Sequence, residues 1–157
     1  MVMKEIRFHG RGGQGTVVAT ILLAKGLFKA GYFIQTFPFF GVERRGAPVE
    51  AYLRFGEEKI LIRSNIYEPD MVVVLDSRLI GQVDVVRGLK PGGALLVNAS
   101  GIPEIFSSFS GYDRAWVDAD GIAVKLGLGT PTHPMINTAM VGAFAKLAET
   151  PSIPSVE

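Results

Sequence analysis

Apolar residues in the chain fall into short blocks, and the spacing within each block predicts a strand or a helix. Residues 71–76 (MVVVLD) and 94–99 (ALLVNA) are almost continuously apolar, which is typical of central strands covered on both faces. Residues 16–31 place apolar side chains around most of a helix, so we expect a helix buried by the sheet or by a partner. Alternation at 50–55 and at 59–63, across a short glycine turn, predicts a β-hairpin.

The remaining blocks complete an alternation of strands and helices. Further strands are predicted at residues 4–8, 32–37 and 114–119, and further helices at 78–89, 120–127 and 134–149. Such an alternation, with a hairpin inserted, predicts an α/β fold: a single three-layer α/β/α sandwich with a mixed, mainly parallel sheet. We expect one domain over residues 1–150, followed by a flexible or truncated tail at 151–157 that holds two prolines.

The composition is that of an ordinary globular protein. Of its 157 residues 48% are hydrophobic and 20% are charged, and the formal net charge of +1 argues against a nucleic-acid partner. The absence of cysteine excludes disulfides and thiolate-bound iron–sulfur or zinc centres on this chain. No apolar run approaches the roughly 18 residues of a membrane helix and no signal peptide is evident, so we expect a cytoplasmic protein without membrane contact.

A glycine-rich segment, GRGGQG, lies between the first predicted strand and the first predicted helix. Its glycines have the G-x-G-x-x-G spacing, and the free backbone amides at a helix start favour a bound anion. Arg11 adds a positive charge and a planar fork suited to phosphate or carboxylate. The candidate ligand-binding residues of this glycine loop are Gly10, Arg11, Gly12, Gly13, Gln14 and Gly15.

Three interpretations of the glycine loop stay open. A dinucleotide requires an acidic residue at the end of the second strand, and the sequence YFIQTF at residues 32–37 holds none. A tight turn that packs only against protein is the second interpretation. The third, which we favour, is a phosphate-bearing ligand or cofactor end, bound by this chain alone or shared with a partner. The Walker pattern is absent because no Gly-Lys-Ser/Thr follows.

A second basic segment, FGVERRGAP at residues 40–48, carries Arg44 and Arg45 after Glu43. We expect this arginine loop at the same carboxyl edge of the sheet as the glycine loop, where converging arginines form an anion pocket. The alternative is a solvated loop with a local glutamate–arginine pair, which contributes little stability. The aromatic residues beside it predict a patch that is buried at an interface. These aromatic residues are Phe37, Phe39 and Phe40.

Isolated polar residues complete the candidate list. His9 and His133 are lone histidines, for which we expect structural roles. Asn98, at the carboxyl end of a predicted strand, and Asn137, near the start of the last helix, are candidates either to donate to a ligand or to cap backbone. The sequence declares no serine–histidine–acid set, paired carboxylates or metal-ligand cluster, so we predict no catalytic and no metal-binding residue.

The motifs together resemble a known family over residues 6–150. GRGGQG, FPFFGVERRGAPVEAYLR, GLKPGGALLVN and NTAMVGAFAK are similar to segments of the gamma subunit of 2-oxoacid:ferredoxin oxidoreductases. The ERRGAP form looks closer to the pyruvate enzyme (pyruvate synthase) and to branched-chain oxoacid enzymes than to 2-oxoglutarate enzymes. Indolepyruvate oxidoreductase carries a related subunit, so the substrate stays open.

The resemblance implies a multi-subunit enzyme of anaerobic metabolism that oxidatively decarboxylates a 2-oxoacid, forms acyl-coenzyme A and passes electrons to ferredoxin. It implies alpha, beta and delta-type partner subunits that carry thiamine diphosphate, magnesium and iron–sulfur clusters. This chain would support assembly and help to form the coenzyme A site, binding no cofactor alone. The residues that the resemblance nominates for coenzyme A are the glycine loop, with Arg11, and Arg44, Arg45 and Asn98.

Two other functions stay open. A stand-alone nucleotide- or phosphate-binding protein would be a well-behaved monomer, whereas the aromatic residues and the apolar first helix favour a subunit of a complex. A purely structural role within the same complex would require no ligand contact. A homodimer is an alternative state of the isolated chain.

Overall fold

In the computed structural model, which describes residues 2–39, 44–102 and 104–150, the chain forms a six-stranded sheet with three α-helices. The strands of the sheet are β1 (Lys4–Arg11), β2 (Phe33–Phe39), β3 (Pro48–Gly56), β4 (Met71–Val74), β5 (Ala94–Asn98) and β6 (Asp113–Val117). The helices are α1 (Thr16–Lys29), α2 (Ala119–Lys125) and α3 (Asn137–Ala148). The smaller elements are a ribbon of β7 (Gly129–Thr130) with β8 (His133–Pro134), and 3-10 helices at Ser77–Leu79 and Glu104–Phe109.

The strand order in the sheet is β2-β3-β1-β4-β5-β6. Strands β1, β4, β5 and β6 are parallel to one another, whereas β3 is antiparallel to both β1 and β2. β2 therefore points the same way as β1, and β3 alone is reversed. The predicted α/β class with a mixed, mainly parallel sheet is confirmed.

The two faces of the sheet are covered by different kinds of structure. On one face α1, α2 and α3 pack over a core that includes Phe8, Leu23, Leu53 and Phe144. On the other face the chain between β4 and β5 and the 3-10 helix before β6 cover Val72, Val74, Leu95 and Val97. The side chains that do so are Leu79, Val85, Leu89 and Phe106. The three predicted layers are present, and the second outer layer consists of turns and 3-10 helices.

The helix α1 ends two residues before its predicted end and is less enclosed than its sequence suggests. Leu23 and Leu27 are fully buried against the sheet. On the outer side Val18, Ile21 and Phe28 are exposed, Phe28 by 75% of its surface. The sheet therefore covers only one side of α1.

The predicted hairpin between residues 50–55 and 59–63 is wrong in its second arm. Strand β3 pairs with β2 instead, with Thr36 opposite Leu53 in the register, and residues 59–63 form no strand. This segment runs past β2 irregularly, where the side chain of Gln35 donates to the carbonyl of Ile62. Period-two alternation identifies a strand-like segment but does not choose its partner, which explains the error.

The predicted helix at 78–89 is also wrong, because local and tertiary contacts divert the backbone. The carboxylate of Asp76 caps the amino end of a single 3-10 turn at Ser77–Leu79 by accepting from the backbone N–H of Arg78, and this turn ends at Ile80. The buried guanidinium of Arg7 takes the carbonyls of Val85 and Arg87 as acceptors. Gly88 then has a φ of +70° and abuts the Tyr67 carbonyl.

The remaining elements match their predictions to within a few residues. β1 runs three residues past residue 8, into the glycine loop, and β2 continues through Pro38 and Phe39. Among the aromatic residues, Phe37 packs on Tyr52 with ring centroids 5.1 Å apart, and Phe39 is 46% exposed. The predictions for Phe40, Glu43 and the tail at 151–157 lie outside the described residues.

Candidate functional site

A cleft of about 760 Å³ opens at the carboxyl ends of β1, β4 and β5. Its walls are the glycine loop, the turn after β4, the starts of α2 and α3, the β7–β8 ribbon and Arg45 with Gly46. In an open α/β sheet ligands bind outside the carboxyl ends of the strands, where the connections diverge to opposite faces. The cleft occupies that position, and its volume suits a ligand of drug or cofactor size.

The four glycines of the glycine loop serve two local purposes. A Cβ on Gly10 would overlap the Thr16 hydroxyl, and a Cβ on Gly12 would lie 2.6 Å from the carbonyl oxygen of Arg44. Gly13 and Gly15 have φ values of +87° and +77°, a region that side chains disfavour. Close packing against protein therefore accounts for Gly10 and Gly12, and backbone conformation for Gly13 and Gly15.

The glycine loop and the arginine loop are joined by their backbones. The N–H of Gly12 donates to the carbonyl of Ala47 at 2.9 Å, and the N–H of Gly46 donates to the carbonyl of Gly12 at 3.1 Å. The two basic segments thus meet at one edge of the sheet, as the sequence predicted. Arg45 lies on the cleft wall, whereas Arg44 is exposed and does not line the cleft.

Asp76, two residues beyond the end of β4, connects the cleft walls. Its carboxylate accepts from Arg11 Nε at 2.9 Å, from Gln14 Nε2 at 3.2 Å, and from Arg78 Nε and Nη2 at 2.9 and 2.8 Å. Burial alone raises the pKa of the Asp76 carboxyl, but hydrogen bonds from Arg78 and Arg11 outweigh burial and lower that pKa to about 2. Asp76 is therefore ionised throughout the neutral range.

Arg11, the arginine that the glycine loop supplies, is already engaged within the protein. Besides Asp76, its Nη1 donates to the carbonyl of Gly46 and its Nη2 to the Oε1 of Gln82, both at 3.0 Å. All three of its side-chain nitrogens have protein acceptors. Arg11 thus ties three loops together, and a ligand would meet it only at the remaining N–H directions.

Among the described residues, the cations that line the cleft and keep guanidinium nitrogens without a protein acceptor are Arg45 and Arg78. The guanidinium of Arg45 pairs with no carboxylate among the residues that the structure describes. The side chain of Arg78 is 76% exposed although one side of its fork grips Asp76. No described side chain caps the amino end of α1, whose start at Gly15 lines the same cleft. Two cations and a helix amino end converge here, which favours an anionic group.

Asn98 lies at the carboxyl end of β5 and is buried at the base of the cleft. Its Nδ2 donates to the carbonyl of Leu75 and to Asp120, and its Oδ1 accepts from the backbone N–H of Ala119. Every hydrogen-bonding position of the amide except one acceptor lone pair is used. These contacts perform the capping role considered for Asn98, by holding α2 against β4.

Several residues of the cleft were not predicted from the sequence as ligand-binding residues. Asp76 and Arg78 lie two and four residues beyond the end of β4. Asp76 ends an apolar block as Asn98 does, so the same rule would have found it. His133, for which the sequence predicted a structural role, and Thr132 line the cleft from the β7–β8 ribbon, which bears no comparable signal. Asn137, which the sequence raised as an alternative, lines the cleft beside Gly15.

The other histidine, His9, is a residue of β1 and does not line the cleft. It is buried, its Nε2 accepts from Arg7 Nε at 3.0 Å, and its Nδ1 lies 3.9 Å from Glu50. Burial is the main cause that lowers the His9 pKa to about 4, and the charge of Arg7 adds to it. His9 is neutral at pH 7 and has the structural role expected of it.

Two further properties concern metals and membranes. Across residues 2–39, 44–102 and 104–150, no three His, Asp or Glu side chains are grouped to hold a metal ion. The described helices are all too short or too polar to cross a bilayer.

Comparison with known proteins shows similarity over nearly the whole chain. The model of the family described as pyruvate ferredoxin/flavodoxin oxidoreductase matches residues 5–156. The chain is 52% identical to pyruvate synthase subunit PorC of Methanocaldococcus jannaschii, over 99% of this chain and 83% of that protein. It is 50% identical to the pyruvate/ketoisovalerate oxidoreductases common subunit gamma of Thermococcus kodakarensis, with the same two coverages.

Solved structures show the same fold. The crystal structure of pyruvate oxidoreductase subunit PORC from Thermotoga maritima superposes with a TM-score of 0.81 at 33% identity, over 98% of this chain and 81% of that one. A 2-oxoglutarate:ferredoxin oxidoreductase from Magnetococcus marinus, solved with 2-oxoglutarate, coenzyme A and succinyl-CoA bound, matches with a TM-score of 0.73. At 20% identity, over 98% of this chain and 26% of that one, the second likeness is one of fold.

Proposed function

Because the chain belongs to the pyruvate ferredoxin/flavodoxin oxidoreductase family, we propose that it is the gamma subunit of a pyruvate:ferredoxin oxidoreductase whose cleft receives the phosphates of coenzyme A. The curated relatives at about half identity are named as pyruvate synthase PorC subunits or as gamma subunits of pyruvate/ketoisovalerate oxidoreductases. The similarity extends over 99% of this chain and 83% of each of these two relatives. The alternatives from the sequence, a stand-alone phosphate-binding protein and a purely structural subunit, are outcomes of the tests below.

The amino-acid composition of the chain supports a complex in which partner subunits carry the redox cofactors. The complete reaction joins the acyl group of a 2-oxoacid to the coenzyme A sulfur, with loss of carbon dioxide and transfer of electrons to ferredoxin. This chain has no cysteine to ligate an iron–sulfur cluster, so electron transfer belongs to partner subunits. Alpha, beta and delta-type subunits would supply those clusters and the thiamine diphosphate with its magnesium. The complex is expected in the cytoplasm.

The observation that carries the proposal is that Arg45 and Arg78 line one cleft together with the amino end of α1, which no described side chain caps. Arginine binds phosphate oxygens with two parallel N–H donors, and a helix amino end adds backbone donors with partial positive charge. Coenzyme A presents phosphates at one end and its reactive thiol at the other. When its phosphates lie in this cleft, the thiol is free to reach a partner's reaction centre. This chain then binds and orients the substrate without touching the reacting bonds.

By the same reasoning, the partner subunits determine which 2-oxoacid the complex accepts. A subunit that holds only the coenzyme A end meets the same chemical group whichever acyl chain is transferred. The name of the Thermococcus kodakarensis relative, a subunit common to pyruvate and ketoisovalerate enzymes, supports this assignment. Pyruvate is the proposed substrate, and branched-chain oxoacids and indolepyruvate are the alternatives.

The first test changes Arg45 and Arg78 in the assembled complex. Arg45→Ala and Arg78→Ala are each expected to raise the KM for coenzyme A about tenfold, because a charge-assisted contact is worth about that factor. The KM for the oxoacid and kcat should change little, since neither residue reaches the reacting carbon. Arg63→Ala, which removes an exposed arginine outside the cleft, is the matched control. Unchanged coenzyme A affinity in both cleft variants would reject the site.

The second test asks which complex the chain enters. The tagged chain is purified with its partners, and ferredoxin reduction is followed with pyruvate, 2-ketoisovalerate or indolepyruvate in the presence of coenzyme A. The proposal expects reduction with pyruvate that requires both coenzyme A and the partner subunits. Turnover by the isolated chain, or a monomer that binds ATP or NAD tightly and recruits no partner, would overturn it.

A further inference from the structure

We propose that Asp76 is a positioning residue that sets where the cleft accepts negative charge, by orienting Arg78 and withdrawing Arg11 from the ligand. The inference deepens the function proposed above and rests on it. It assigns a role to a carboxylate that lies between two cations of the cleft.

Asp76 is the point where three cleft walls meet. It follows β4, accepts from Arg11 and Gln14 of the glycine loop, and grips Arg78 of the turn after β4. Through Arg11, whose Nη1 reaches the Gly46 carbonyl, the same carboxylate fixes the arginine loop. Its side chain is only 5% exposed, whereas the side chains of Arg11 and Arg78 are 18% and 76% exposed.

The two arginines on Asp76 are held in different ways. Arg11 has a protein acceptor for each of its side-chain nitrogens, and its charge is balanced by Asp76. Arg78 uses only Nε and Nη2 on Asp76, so Nη1 and the outer N–H directions stay in solvent. The two hydrogen bonds to one carboxylate define the orientation of the Arg78 fork, and Arg78 lines the cleft.

Without its charge this arrangement would come apart. The two guanidinium groups share one carboxylate oxygen, Asp76 Oδ2, so they lie close together and repel when that charge is removed. An asparagine amide cannot accept the same set of hydrogen bonds, because one of its two polar ends is a donor. Arg78 would then lose its support, since its exposed side chain has no other hydrogen-bond acceptor among the residues described.

A positioning role and a purely electrostatic role predict opposite results. If Asp76 only reduced the positive charge of the cleft, Asp76→Asn would strengthen the binding of every anion, and Asp76→Glu would change nothing. If Asp76 positions the arginines, both variants weaken a ligand that needs a defined geometry. The binding of a small anion, which depends on charge rather than on geometry, would then change little. Asp76→Glu is the sharper variant because it keeps the charge and moves the carboxylate by one methylene.

The experiment measures coenzyme A and inorganic pyrophosphate binding to the assembled complex by calorimetry. Asp76→Asn is expected to raise the Kd for coenzyme A about tenfold or more, and Asp76→Glu about threefold or more. The Kd for pyrophosphate should rise less than about threefold, or fall, in Asp76→Asn because the cleft gains positive charge. In steady state the KM for coenzyme A should rise while kcat and the KM for pyruvate stay near wild type. Asp113→Asn, an exposed carboxylate outside the cleft, is the control for charge.

The outcomes separate this inference from the proposed function. Tighter coenzyme A binding in Asp76→Asn together with wild-type binding in Asp76→Glu would overturn the positioning role while leaving the cleft as the site. Wild-type binding in both Asp76 variants, while Arg45→Ala and Arg78→Ala weaken coenzyme A, would overturn it equally. If none of the four variants changes coenzyme A binding, the cleft is not the site and both proposals fall. If Asp76→Asn does not fold, Asp76→Glu decides alone.

Discussion

Gly12 lies so close to the carbonyl oxygen of Arg44 that a Cβ on residue 12 would stand 2.6 Å from that oxygen. The clash would be with backbone, which cannot rotate away as a side chain can. We expect Gly12→Ala to destabilise the protein by about 1–3 kcal/mol, because the arginine loop must shift to make room. The shift also moves Arg45, so coenzyme A binding should weaken with stability. Denaturant unfolding and calorimetry measure the two effects.

Gly101→Ala is the matched control for that prediction. Gly101 has open space around its Cβ position and no left-handed backbone, so the free energy of unfolding should stay within about 0.5 kcal/mol of wild type. Equal stability of Gly12→Ala and Gly101→Ala would show that the contact between the two loops is not tight.

The meeting of the glycine and arginine loops was predictable, because both follow strands that point to the same edge of the sheet. The engagement of Arg11 was not, since its acceptors Asp76, Gly46 and Gln82 come from three distant segments. Sequence reasoning therefore predicted the edge, Arg11 and Arg45, but it missed Arg78 and did not show that the donors of Arg11 are used within the protein. Spacing shows which residues reach an edge, and only packing decides which of them keep free donors.

The errors in the fold have a similar origin. The segment at 78–89 has the apolar spacing of a helix, yet its carbonyls at Val85 and Arg87 are taken by Arg7, seventy-eight and eighty positions away. The apolar residues still face the sheet, as Leu79 and Val85 do. Periodicity therefore indicated correctly that the segment is amphipathic. Its backbone conformation was set by a buried arginine on β1 that no local pattern reveals.

The buried His9 predicts acid lability. Its pKa is lowered to about 4 in the folded protein, against 6.5 in an unfolded chain, so the unfolded state binds more protons between these values. The contribution of His9 to the free energy of unfolding is therefore complete above about pH 6.5 and is lost as the pH falls toward 4. We expect this group to lower the free energy of unfolding by about 2 kcal/mol between pH 7 and pH 5. Urea unfolding at a series of pH values measures the slope.

Two histidine variants isolate that contribution. His9→Gln keeps a side-chain acceptor near Arg7 Nε but cannot titrate, so the slope between pH 7 and pH 5 should become shallower. His133→Gln makes the same substitution at an exposed histidine on the cleft rim and is the matched variant for comparison. A steep slope that survives in His9→Gln would assign the acid sensitivity to other groups.

The amide of Asn98 is predicted to stabilise the fold rather than the ligand. Asn98→Ala leaves the buried N–H of Ala119 and the carbonyl of Leu75 without their partner, which we expect to cost about 2–4 kcal/mol. Asp120→Asn, which changes only the more exposed partner of Asn98, should cost less than about 1 kcal/mol. Thermal unfolding of both variants tests the difference. A stable Asn98→Ala variant with impaired coenzyme A binding would instead restore the ligand-donor role.

Glycine to alanine should have opposite effects at two positions that both have open space around them. Gly142 lies within α3, where alanine restricts the unfolded chain and favours helix, so Gly142→Ala should stabilise by about 0.5–1 kcal/mol. Gly127 follows α2 with a φ of +68°, a conformation that strains any residue with a Cβ. Gly127→Ala should therefore destabilise by about 1 kcal/mol. Differential scanning calorimetry should place the two variants on opposite sides of wild type, and a lower Tm for Gly142→Ala would show that α3 cannot accept a methyl group there.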